Sequence, residues 1–172
     1  IPKANLDNVF EQQLKNYEVG FQTVLIRNNS FFSLISKNIK NFHVGPDYYL
    51  IMNIAKDKKV SVNKNCLVMH RRTSNSLTHR KPHRWSIELK STLDGLFENE
   101  KKSQTHLSTY IRLAYAKVYY KKADYFVLKG NKCAAIKSMN KIKFVKINYF
   151  ILFFISIFGL KIWKSVHNHF KI

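Results

Sequence analysis

Apolar residues recur in the first fifteen positions as Leu6, Val9, Phe10 and Leu14, a spacing that predicts a short amphipathic helix over 5–15, ending near Asn16. The pattern then changes. Gly20-Phe21-Gln22-Thr23-Val24-Leu25-Ile26-Arg27 is apolar and β-branched between Gly20 and Asn28-Asn29-Ser30, which predicts a buried strand. Ser30 is placed to cap a following helix through Phe31, Phe32, Leu34 and Ile35. A strand followed by a helix indicates an α/β layer.

Gly45-Pro46-Asp47 marks the next helix start. Proline suits the first helical turn and disfavours helical geometry in the residue before it. Leu50, Ile51, Ile54 and Ala55 supply the expected buried face. Asp57-Lys58-Lys59 reads as a turn, and Val60, Val62, Cys66 and Val68 as strands around Asn63-Lys64-Asn65. His70 to Arg84 differs in kind, with three His, four Arg, several hydroxyls and little apolar matter. A loop of that length is usually functional or mobile, and its guanidinium and hydroxyl groups suit phosphate.

Downstream the period becomes helical throughout. Trp85, Leu89, Leu93, Leu96 and Phe97 predict a helix over 84–101. Leu107, Ile111, Ala114 and Val118 form the inner face of a second over 105–129, stopped by Gly130-Asn131, and a third follows over 133–142. The uncharged run Ile147–Leu160 is the most apolar stretch. As a helix it spans roughly 21 Å against a ~30 Å hydrocarbon core, so it crosses a bilayer only if Lys146 and Lys161 snorkel. Trp163 and the lysines around it suit a membrane interface; burial as a terminal core helix is the competing reading. The expected organisation is thus an α/β region over 1–83, a helical region over 84–143 and an apolar, basic terminal helix over 144–172.

Composition changes this picture in two ways. With 172 residues, 45% of them hydrophobic, the chain can build one domain with a substantial core. Thirty Lys and Arg against ten Asp and Glu give a net charge of +20, a field that draws nucleic acid, anionic lipid or phosphorylated substrates without choosing among them. The lysine, asparagine, isoleucine and phenylalanine content also fits an A- and T-rich coding sequence, which by itself accounts for part of the charge. Cys66 and Cys133 form neither a disulfide framework nor a CxxC metal site, which points to a reducing compartment. The chain begins Ile1-Pro2-Lys3-Ala4, with no Met and no secretory pattern, and the expectation is that its natural amino terminus lies upstream.

Three segments, taken in order, resemble the acceptor-side half of family 2 glycosyltransferases, enzymes with a GT-A fold. They are Gln22-Thr23-Val24-Leu25-Ile26-Arg27-Asn28-Asn29-Ser30-Phe31, Asp47-Tyr48-Tyr49-Leu50 with Asn53-Ile54-Ala55-Lys56-Asp57-Lys58-Lys59-Val60, and Leu67-Val68-Met69-His70-Arg71-Arg72-Thr73-Ser74-Asn75-Ser76-Leu77-Thr78. The last resembles a family segment written Tyr-Arg-x-His followed by Asn-Ser. The likeness covers about residues 1–80, and Gly130-Asn131 with Ala134-Ala135 resembles the helical tail often appended to such enzymes. It implies a partial GT-A α/β fold with an incomplete sheet, followed by an all-α region.

The resemblance also implies chemistry. Asp47 would be the base that takes a proton from an acceptor hydroxyl in an inverting displacement, help typically worth about 10²–10⁴ in rate, and an exposed carboxylate at a helix start would stay ionised for it. The alternative for Asp47 is an ordinary acid at a helix N-terminus, where the macrodipole stabilises it by about 0.3–1 kcal/mol. His70 and Arg71 match the Tyr-Arg positions, so His70, Arg71 and Arg72 would sit near the nucleotide diphosphate and offset leaving-group charge. The family often has an acid where Pro46 stands and His where Thr73 stands. No Asp-x-Asp motif is present to hold the Mg²⁺ or Mn²⁺ expected of the full enzyme. The implied partners are a nucleotide-sugar donor and a glycan or lipid-linked glycan acceptor, as in cell-surface polysaccharide synthesis. The implied place of work is the cytoplasm or the inner face of a bacterial membrane, for a chain that alone would be catalytically incomplete. The competing reading is a non-catalytic basic protein that binds a membrane surface or nucleic acid, although no zinc-finger, helix-turn-helix or RNA-recognition signature is present.

Overall fold

The computed structural model describes residues 9–27, 39–61, 63, 65, 67–69, 82–98, 107–158, 162, 163 and 165. Six α-helices carry the architecture: α1 (Val9–Lys15), α2 (Pro46–Asp57), α3 (Pro82–Phe97), α4 (Ser108–Leu128), α5 (Lys132–Asn140) and α6 (Ile147–Phe158). Two short 3-10 turns, Phe21–Thr23 and Ile39–Asn41, lie between α1 and α2.

Helix α4 is the shared wall of two cores. Ala114 and Val118 face one, with Leu14 of α1, Tyr48 and Met52 of α2, and Leu89, Leu93, Leu96 and Phe97 of α3. Ala116, Tyr120, Ala123 and Val127 face the other, with Ala135, Met139, Ile142, Tyr149, Leu152 and Trp163. Both sets follow helical spacing but point about 200° apart, since two residues along a 3.6-residue turn lie nearly opposite each other. A helix covered on two sides shows no single apolar stripe. Sequence spacing therefore identified the first face of α4 and missed the second.

The helix ends follow ordinary capping chemistry. Gly130 takes φ +73°, a left-handed conformation that closes α4, and the N–H groups of Gly130 and Asn131 donate to Val127 and Phe126. The Asn131 side chain then accepts from the Ala134 N–H at 3.1 Å and starts α5. Lys56 donates to the Leu96 carbonyl at the end of α3, tying α2 to an orphan acceptor there.

The α/β expectation is overturned: the described residues contain helices and no strand. Where a strand was expected over 20–27, the Thr23 N–H and hydroxyl both donate to the Gly20 carbonyl and make a 3-10 turn. Extended Val24 closes the turn by donating its N–H to the Phe21 carbonyl, 24–27 make no strand pairing among the described residues, and Leu25 is fully exposed. Leu67, Val68 and Met69 are likewise exposed rather than alternately buried. The partial GT-A sheet expected for this region is thus absent among the described residues. A β-branched run is only material for a strand; the ladder needs a neighbour at the right distance, which the pattern of one segment cannot supply.

Smaller corrections concern register. The buried residues of α2 are Tyr48, Leu50, Ile51 and Met52, whereas Ile54 and Ala55 are only half-covered. Helix α3 starts at Pro82, so Pro82-His83-Arg84 belongs to a helix rather than to the basic loop. The expected helix over Phe31–Ile35, Cys66 and the loop residues 70–81 lie outside the described residues. Cys133 is exposed.

Candidate functional site

Asp47 stands in the first turn of α2, directly after Pro46. The turn leading to it is built by a residue 43 positions later. The Glu88 carboxylate accepts from the backbone N–H groups of His43 at 3.0 Å, Val44 at 2.8 Å and Gly45 at 2.8 Å. Successive N–H groups converging on one carboxylate form an anion-holding nest, here filled from within the chain. Glycine leaves room at position 45: a Cβ there would meet the Trp85 ring at 3.0 Å, and the ring would have to shift by a few tenths of an ångström. The Tyr49 N–H then donates to the Gly45 carbonyl and α2 begins.

The environment of Asp47 differs from the exposed one expected. The residue is half-buried, and burial raises its carboxyl above the ordinary value; N–H groups of Tyr48 and of Asp47 partly oppose this, and the Glu88 charge adds to the rise. A more basic carboxylate is a better proton acceptor than a fully solvated one. The Asp47 charge also reaches the Tyr17 hydroxyl, which is buried and lacks a hydrogen-bond partner among the described residues.

Tyr17 and Tyr48 meet edge to face at 4.9 Å, and Tyr48 meets Trp85 at 6.3 Å. These three rings, with Tyr120, Gln13, Asn16, Lys117 and Lys121, line a cavity of about 150 Å³ between α1, α2, α3 and α4. A cavity of about that size accommodates one six-membered ring. Lys117 makes no ion pair with a described residue; burial, and then the neighbouring Lys146, push it down to about 8, against the pull of Glu18. Lys121 lies over the Tyr120 ring at 5.7 Å. Aromatic walls, amides and two ammonium groups suit a polar ring or an anionic group.

Of the residues singled out from the sequence, Asp47 precedes Tyr48 and its charge reaches Tyr17, both on the cavity wall, but Asp47 itself does not line the cavity; His70, Arg71 and Arg72 lie outside the described residues. Glu88 was missed. Its signal was legible: it stands on the same helical face as Trp85, Leu89 and Thr92, and an acid on an apolar face needs a buried partner. Lys117 gave a weaker version of the same signal, one position before Val118.

The Mg²⁺ or Mn²⁺ expected by resemblance finds no ligand set here. No three His, Cys, Asp or Glu side chains converge among the described residues, and the acid acting on Asp47, Glu88, is committed to three N–H groups. Nor is any helix among the described residues long and apolar enough to cross a membrane.

Fold and site together define a two-core helical chain with a half-buried helix-start carboxylate beside an aromatic and lysine-lined cavity. Comparison with protein families, with curated proteins and with solved structures finds no match.

Proposed function

We propose that this chain supplies the acceptor side of a glycosyltransferase, with Asp47 as the base. The observation that carries the reading is Asp47 itself: a carboxylate made more basic by burial, at a helix start braced by Glu88, with its chain neighbour Tyr48 lining a ring-sized aromatic cavity. The order of the three sequence segments supports it.

In this reaction the Asp47 carboxylate takes the proton of an acceptor hydroxyl as that oxygen attacks the anomeric carbon of the donor sugar. The new C–O bond forms on one face while the bond to the diphosphate breaks on the other, and the nucleoside diphosphate leaves with the electron pair. Tyr17, Tyr48 and Trp85 offer apolar walls to a sugar ring, and Gln13 and Asn16 offer amides to its hydroxyls. Arg71 and Arg72, with His70, would by resemblance offset the charge of the departing diphosphate in this reading. The described helices hold no nucleotide-binding sheet, so the donor nucleotide is bound elsewhere. The acceptor is a glycan or lipid-linked glycan, and the place of work is the inner face of a bacterial membrane.

The test is release of nucleoside diphosphate from a panel of nucleotide-diphosphate sugars by the native protein carrying this segment. Asp47→Asn should lower turnover about 10²–10⁴-fold with circular dichroism unchanged. Full turnover in Asp47→Asn would remove Asp47 from the mechanism.

A further inference from the structure

Helix α6 is apolar on both sides, and only one side is covered. Tyr149, Leu152 and Ser156 are buried in the second core. On the opposite side Ile147, Phe150, Ile151, Phe154 and Phe158 are exposed at spacings of three and four, with Phe144 just before them at 77% exposure. Such a contiguous stripe marks an interaction site. The packed side fixes the helix in place, so the open side is presented as a surface. Trp163 belongs to the packed side, where it is buried and its indole N–H donates to Asp124 at 2.9 Å; of its two sequence readings, interface anchor and core residue, it takes the second.

Charge identifies the occupant. After Asp124 the chain carries nine lysines and no further Asp or Glu. Lys141, Lys143 and Lys146 lie in the connection leading into α6, and the Lys143 ammonium sits 4.9 Å and 5.1 Å from the Phe144 and Phe153 rings. A second copy of this chain would set +20 against +20, whereas anionic headgroups complement Lys143 and Lys146 just ahead of α6. The twelve residues of α6 extend about 18 Å, too short to cross a ~30 Å hydrocarbon core but sufficient to lie along its boundary.

We propose that the outer face of α6, with Lys143 and Lys146, docks this protein flat on an anionic lipid surface. The docking stands independently of the transferase reading.

The experiment is flotation of the full chain with phosphatidylserine-containing vesicles and with pure phosphatidylcholine vesicles. Binding should be at least tenfold tighter to the anionic vesicles and should weaken with salt. Phe150→Gln/Phe154→Gln/Phe158→Gln should lose binding at least tenfold with its circular dichroism retained. Lys143→Gln/Lys146→Gln, which spares the apolar face, should lose about 20–30-fold on anionic vesicles, each lysine near the surface being worth roughly fivefold. Equal binding to both lipids, an unaffected lysine variant, or a dimer in light scattering that the phenylalanine variant dissolves would each overturn the proposal.

Discussion

Replacement of Glu88 by alanine tests whether one buried carboxylate holds the approach to Asp47. Glu88 accepts three backbone N–H groups at 2.8–3.0 Å and is 7% exposed. A hydrogen bond to a charged group contributes about 1.5–3 kcal/mol, but three bonds to one group do not add fully. Alanine also relieves the repulsion that Glu88 exerts on Asp47. The expected net loss for Glu88→Ala is about 3–4 kcal/mol, a large share of a total stability of about 5–15 kcal/mol. Glu88→Gln keeps one acceptor oxygen but turns an amide donor toward at least one N–H, for a loss of about 1–2 kcal/mol. Urea denaturation reads both: with a slope of about 1–3 kcal/mol per molar, Glu88→Ala should move the midpoint down by roughly 1–4 M. Amide hydrogen exchange at His43, Val44 and Gly45 should accelerate in step. Removing the neighbouring negative charge should also lower the Asp47 carboxyl titration, measurable by NMR in Glu88→Gln. A loss under about 1 kcal/mol for alanine, or unchanged exchange at the three amides, would refute the brace.

Asp47 carries a folded-state carboxyl raised above its unfolded value, so the stability it contributes is present in acid and is lost as pH rises through the folded value; Asp47→Asn should therefore melt higher than wild type at pH 7 and equally at pH 3. Lys117 has the opposite shift for a base: between about pH 8 and its ordinary 10.5 the unfolded chain binds more protons, and stability should rise with pH across that window. Near pH 10 the buried hydroxyls of Tyr17, Tyr48, Tyr115, Tyr120 and Tyr149, all pushed upward by burial first, should reverse the rise, because only the unfolded tyrosines ionise there. Urea midpoints from pH 7 to 11 should show this dome, and Lys117→Met should keep the fall while losing the rise. Finally, Trp85 packs against one core and Trp163 lies in the other, with α4 common to both. Thermal melts followed by fluorescence of Trp85→Phe and Trp163→Phe should each report a single transition that coincides with that variant's own circular dichroism, and separated transitions would show that α4 does not couple the cores.

What the sequence determined by itself was local. The apolar spacing in α1 and α3 to α6, Pro46 and Gly130 as punctuation, and the helix-start position of Asp47 follow from short-range sterics and a 3.6-residue period, which a single segment carries in full. Whatever required a second segment was decided by the tertiary structure. Among the described residues the β-branched stretch 20–27 meets no neighbouring strand; its first residues form a 3-10 turn that Val24 closes. The run 147–158 packs one face into the second core and leaves the other exposed, because coverage depends on what α4 and α5 present to it. Glu88 shows the same division. Its place on an apolar face was written in the sequence, but the three N–H groups that make it tolerable there come from residues 43–45, and only folding brings them within 3.0 Å. Hydrophobic period is a property of one stretch of chain, whereas a partner for a buried charge or for a strand edge is a property of two.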